Sequence, residues 1–177
     1  MNILKMIKTK KAKMNISFEE IVEKWLEYKK IDIKKSSYSN YEYKISKYLM
    51  PYLKNKSITQ IEKYCMKENS AKELGILLCL NTGMRIGKIC ALKWKDIDLD
   101  RRIIYVCSTM ERIYDKNLKR TKIIIDTPKT KSSMREISMS NKLYNVLKPL
   151  KKKCNNNQFF LTGDENKYIE PTKIRKL

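Results

Sequence analysis

With 177 residues, 42% of them hydrophobic and only four Gly and four Pro, the chain can bury a core and leans towards helix, which excludes a disordered polymer and an all-β fold. The 40 Lys and Arg against 19 Asp and Glu leave a formal net charge of +21, so the expected partner is a polyanion with a phosphate backbone, bound in a salt-sensitive way. The five cysteines lack C-x-x-C spacing and histidine is absent, so disulfide frameworks, zinc modules, Ser-His-Asp triads and histidine acids are excluded together.

Residues 1–15 form a Lys-studded arm without the apolar core of a signal peptide. Ser17 and Glu20 make a capping box, and Phe18, Ile21, Val22, Trp25 and Tyr28 follow at helical spacing, predicting a helix over about 18–30. A second helix follows Ser36 and Ser37, with Tyr38, Tyr41, Ile45, Tyr48 and Leu49 on its apolar side, and ends near Pro51. This spacing favours Trp25 and the tyrosines as core residues over platforms for stacked bases. Ser57 with Gln60 announces a short helix to about Lys67, and Ser70 with Glu73 another capping box before AKELGILLCLNT. That segment is apolar nearly all round, as a central helix closed by Gly83 should be. Its apolar run, Leu74 to Leu80, is too short to span a bilayer; a cytoplasmic protein without a membrane partner is expected.

One further turn, Ile86 to Leu92, precedes a change of period. From Trp94 to Ile137, Ile97 and Leu99 alternate with aspartates, and the β-branched runs RIIYV and KIIID follow, predicting a small antiparallel sheet. Ser140 caps a helix carrying Leu143, Val146, Leu147 and Leu150, which Pro149 and the KKKCNNN run should end. After FFLTGDENKYIEP another helix begins. Gly83 and Gly87 read as backbone devices, one ending a helix and one permitting close packing, in preference to a phosphate cradle.

The stretch LGILLCLNTGMRIGKICALKWKDIDLD resembles the first active-site box of the tyrosine recombinases (phage integrases), in which a core helix ends at a Thr-Gly turn presenting an Arg. TPKTKSSMREISMS resembles that family's β-hairpin carrying a catalytic Lys, and SSYSNYEYKISKYLMPYLKNKSITQI is similar to the first hairpin of its SAM-like core-binding domain. The resemblance implies an α+β, mainly helical fold. Residues 16–56 would form a partial core-binding, DNA-binding helical hairpin, and residues 57–177 the N-terminal part of a catalytic domain with a small antiparallel sheet. It implies DNA integration and recombination by strand cleavage and rejoining through a phosphotyrosine, with double-stranded DNA as partner and no cofactor or metal.

By its place in TGMRIG, Arg85 carries over as the clamp on the non-bridging phosphate oxygens, where a planar fork of N–H donors suits the charge that builds at phosphorus. Lys131 carries over as the proton donor to the departing oxygen, with Lys129 the second choice because hairpin registers shift easily. Arg135 and Lys88 join Lys129 as DNA-binding candidates. The bland readings are that Arg85 only caps helix carbonyls, that Lys129 and Lys131 are solvated charges, and that Arg135 lines the outer face of the sheet.

Three departures stand out. The family's His-x-x-Arg box, further His or Trp, and nucleophilic Tyr are not in these residues, and Tyr168 lies in a loop before their place. Lys88 stands where the family usually carries an acid, and beside Arg85 it adds like charge. The segment between Tyr52 and Ser70 is too short for the rest of a core-binding domain. These residues are therefore expected to be a truncated, internally deleted and catalytically incomplete recombinase, with apolar surface that self-association or a full-length recombinase would cover. The alternative is a non-catalytic DNA-binding protein that competes at or regulates recombination sites. An RNA-binding role lacks an aromatic sheet motif.

Overall fold

The computed structural model describes residues 16–68, 70–127 and 134–175, so the N-terminal arm, Lys129 and Lys131 lie outside the described residues. The chain is α+β and mainly helical, and it divides into two compact units, one up to Tyr64 and one from Cys65.

In the first unit, helices α1 (Phe18–Asp32) and α2 (Lys35–Tyr48) are followed by the four-residue turn α3 (Met50–Leu53) and by α4 (Ile58–Glu68), which crosses the boundary. The capping box at Ser17 forms in full, its hydroxyl accepting from the Glu20 amide while the Glu20 carboxylate accepts from the Ser17 amide. Ser57 and Gln60 repeat the arrangement at α4. The start of α1 is tied to the end of the hairpin by the Phe18 amide on the Lys56 carbonyl at 2.8 Å, an isolated Ser17–Ser57 bridge and the Lys54–Glu19 ion pair at 3.1 Å.

The predicted aromatic core of this unit does not form. Among its described residues Val22 is the one buried apolar side chain, and α2 buries none. Trp25 meets Tyr41 edge to face with centroids 5.3 Å apart, yet Tyr41 is still 43% exposed, Tyr48 57% and Tyr52 76%. Periodicity marks an apolar stripe, but within this unit a helical pair offers one seam, which leaves most of the α2 stripe in solvent.

The second unit is built around α5 (Ala71–Thr82), α6 (Ile86–Ala91), α7 (Asn141–Lys151) and two small antiparallel sheets. A 3₁₀ turn at Trp94–Asp96 leads into β1 (Ile97–Asp98) and β2 (Ile103–Val106), and β5 (Arg135–Ser138) pairs on the far side of β2. Strands β3 (Thr109–Asp115) and β4 (Arg120–Asp126) form a separate ribbon, and α8 (Pro171–Arg175) closes the described chain. Leu78, Ile89, Trp94, Ile104, Leu143 and Leu147 are each at most 1% exposed and form one contiguous core.

Two sequence expectations need correction here. The Ser70 hydroxyl donates to the Glu73 carboxylate and does not accept from a helix amide, so the reciprocal capping box is not made. Pro149 lies inside the last turn of α7, and the helix ends at Lys151, the first residue of the KKKCNNN run, as expected. β4 and β5, which flank 128–133, pair with β3 and β2 and not with each other, so the expected hairpin of two mutually paired strands is not observed. β3 itself was not announced, because Glu111, Arg112 and Asp115 interrupt its apolar pattern.

Candidate phosphate clamp

The end of α5 sets the site. Gly83 takes left-handed backbone, φ 66 and ψ 21, and its amide reaches the Cys79 carbonyl at 2.8 Å. Thr82 locks the turn from inside: its buried hydroxyl donates to the Leu78 carbonyl at 2.5 Å and accepts from the Met84 amide at 3.2 Å. Met84, 2% exposed, then plugs the core and forces the next side chain outward. Arg85 follows with extended backbone, φ −68 and ψ 146, its side chain exposed and its carbonyl opening α6 by accepting from Lys88 at 2.9 Å and Ile89 at 3.1 Å.

Helix α6 lies hard against β3 at Gly87. A Cβ there would stand 2.7 Å from the Met110 carbonyl oxygen and 3.2 Å from the Thr109 hydroxyl, so only glycine fits without movement. A pocket of about 420 Å³ opens beside Arg85, with Gly87, Thr109, Arg112, Ile123 and Thr172 in its wall. Across it Arg112 donates to the Thr121 hydroxyl at 2.8 Å and pairs with Glu170, fastening the ribbon to the start of α8. The Arg112 guanidinium holds the Glu170 carboxyl below the usual carboxylate range.

Lys88 is 7% exposed, and burial, followed by the charges of Arg135 and Arg85, pulls its ammonium below the ordinary lysine range. Arg135, exposed, opens β5 opposite Val106. The charges of Arg85 and Arg135 thus both act on Lys88, whereas Lys129 and Lys131 lie outside the described residues. Lys88 is thus a buried cation facing two arginines, which sequence spacing alone shows only in part: its neighbour in sequence is Arg85, but Arg135 arrives through sheet pairing. Thr82 and Gly87 gave a weaker signal still, a hydroxyl and a small residue near a helix end, and their contacts reveal them as the residues that aim Arg85 and seat its helix.

Three cations of this kind can hold the non-bridging oxygens of a phosphodiester: a guanidinium supplies paired N–H donors and a desolvated ammonium a strong point charge. Tyr168, 40% exposed, packs edge to face on Phe159 at 6.0 Å in the loop before α8. Among the described residues no group of His, Cys, Asp and Glu is placed to hold a metal ion, and no helix is long and apolar enough to cross a membrane.

Residues 44–176 match the phage integrase family, and residues 17–68 match the phage integrase N-terminal SAM-like domain. The integrase of Staphylococcus phage L54a is 32% identical over 106 residues, which cover 56% of this chain and 29% of that protein. A XerC-like tyrosine recombinase of Caldanaerobacter subterraneus subsp. tengcongensis is 33% identical over 89 residues, covering 49% and 22%. Among solved structures, the Tn1549 transposon integrase in complex with transposon right end DNA shares 24% identity and a TM-score of 0.43, covering 62% of this chain and 36% of that one. The chain spans less than a third of the length of these curated relatives.

Proposed function

Because this chain belongs to the phage integrase family of tyrosine recombinases, we propose that it binds duplex DNA at recombination sites by clamping a phosphodiester between Arg85, Lys88 and Arg135. The observation that supports this reading is a buried Lys88 one turn after Arg85 in α6, with the charges of Arg85 and Arg135 both acting on it. Arg85 is the clamp on the scissile phosphate, held outward by the Thr82 and Gly83 turn. Lys131, with Lys129 the second choice, is the residue that hands a proton to the departing oxygen.

Clamp and proton donor alone do not break and rejoin a strand. A covalent phosphotyrosine must hold the cut end, and with no histidine among the 177 residues the family's His-x-x-Arg box is not within them. These residues by themselves therefore bind DNA without completing strand exchange. A duplex carrying a recombination core site tests the clamp: Arg85→Ala should weaken binding and reduce the slope of log affinity against log salt by about one phosphate contact. A slope untouched by Arg85→Ala overturns the clamp. Incubation with supercoiled plasmid tests the second half, since a tyrosine-linked protein–DNA adduct would show strand cleavage by these residues alone.

A further inference from the structure

A second preorganised cation stands at the same end of the second unit, in the turn between β1 and β2. Arg102 has left-handed backbone, φ 55, a conformation that glycine or asparagine adopts more cheaply than arginine. It is held there from two sides. Its carbonyl accepts from the Met139 amide at 2.8 Å, and its Nη1 donates to the Asn141 side-chain oxygen at 2.6 Å. The guanidinium lies 4.4 Å over the centre of the Tyr144 ring, and the Lys148 ammonium approaches the same ring at 5.5 Å.

This cluster is tied to the clamp. Ser140, which caps α7 by accepting from the Leu143 amide at 3.2 Å, donates its hydroxyl to the Asn81 side chain at 3.0 Å. Asn81 is in the last turn of α5, four residues before Arg85. One hydrogen-bonded path, Arg102 to Asn141, then Ser140 to Asn81, thus joins the stacked arginine to the turn that presents Arg85. No carboxylate among the described residues lies in ion-pair range of Arg102. The nearby Asp98 instead accepts the Arg101 amide at 2.9 Å, and the Arg101 guanidinium donates to the Tyr105 hydroxyl at 3.2 Å.

We infer that Arg102, stacked on Tyr144 and oriented by Asn141, is a second DNA-backbone anchor that grips a phosphate apart from the one at Arg85. The inference rests on the proposed binding of duplex DNA. A guanidinium bonded through one nitrogen and stacked on a ring has its plane fixed, so its remaining N–H groups present a ready fork to phosphate oxygens. Lys148 on the same ring adds charge without competing for that fork. A residue that only clipped α7 to the turn would need neither an unneutralised charge nor strained backbone at a position where glycine is favoured.

The test uses the whole chain and a fluorescent duplex of about 25 base pairs, with anisotropy recorded across a salt series. Arg102→Gly removes the cation and suits the left-handed backbone, and Arg102→Asn is a second neutral variant of the same kind. Both should melt close to the wild type. Each should lower the salt slope by roughly 0.9, which at 0.1 M salt is a loss of about eightfold in affinity, while Arg102→Lys should recover the slope but only part of the affinity. A slope that falls with Arg85→Ala and stays at the wild-type value in both neutral Arg102 variants overturns this anchor and leaves the clamp standing. A wild-type chain that leaves the duplex free overturns both.

Discussion

Helices α2 and α5 are of similar length, 14 residues against 12, yet α2 buries no residue and α5 buries six. Both carry apolar residues at helical spacing, and both form. The difference lies in what surrounds them within their own units: α5 is enclosed by α6, α7 and the sheets, whereas the α2 seam is filled where Trp25 meets Tyr41 and then runs out. Helix formation is a local matter of caps and propensity, while burial is a collective property of the layers that close over a stripe. The candidate clamp belongs to the enclosed unit, and a rigid foundation is what a group that must meet a phosphate to within a fraction of an ångström requires.

The widest contrast should appear on removing one side chain from each region. Leu78→Ala opens a cavity in a site that is fully closed and should cost about 2–5 kcal/mol, whereas Tyr48→Ser should stay within about 0.5 kcal/mol, both read by chemical denaturation. A Tyr48→Ser loss as large as that of Leu78→Ala would mean that the first unit hides a core after all. Gly87→Ala comes next. Its methyl would meet the Met110 carbonyl oxygen at 2.7 Å, so α6 and β3 must part, at about 1–3 kcal/mol, and duplex affinity should fall with stability although no charge is touched.

In the sparsely packed unit the caps matter relatively more. Ser17→Ala should cost about 1 kcal/mol, a share of that unit's stability far larger than the same change would take from the enclosed one, and circular dichroism should show the loss as fraying of α1. The smallest effect is a pH dependence. The Ser70 hydroxyl, acting against burial, holds the Glu73 carboxyl below its ordinary 4.5. A carboxyl lowered on folding contributes stability that is fully present above the unfolded value and is lost as pH falls through the folded one. Ser70→Ala should therefore lower stability slightly at neutral pH and flatten the acid side of the profile, the variant and the wild type converging as pH falls below about 5.

Much of the helical frame was legible because its signals are short-range. Ser17 with Glu20, Ser57 with Gln60, and Ser140 each mark a helix start within one turn, and Gly83 marks an end in the same local way. Arg85 was legible because the turn that presents it is four residues long. What stayed hidden depends on distant partners. The pairing of Val106 with Arg135 brings a second arginine towards Lys88, and nothing near either residue states it. The separation of 39 positions between Arg102 and Asn141 conceals a hydrogen bond that reads, in sequence, as one arginine among many. The tyrosines of α2 failed for the opposite reason: their periodicity was real, but periodicity says which side of a helix is apolar and nothing about whether anything arrives to cover it.

The bare backbone contact at Gly87 has a mechanical side. With no side chain to act as a cushion, α6 and the β3–β4 ribbon have no slack between them, so a tilt of the ribbon is transmitted to Arg85 two residues away.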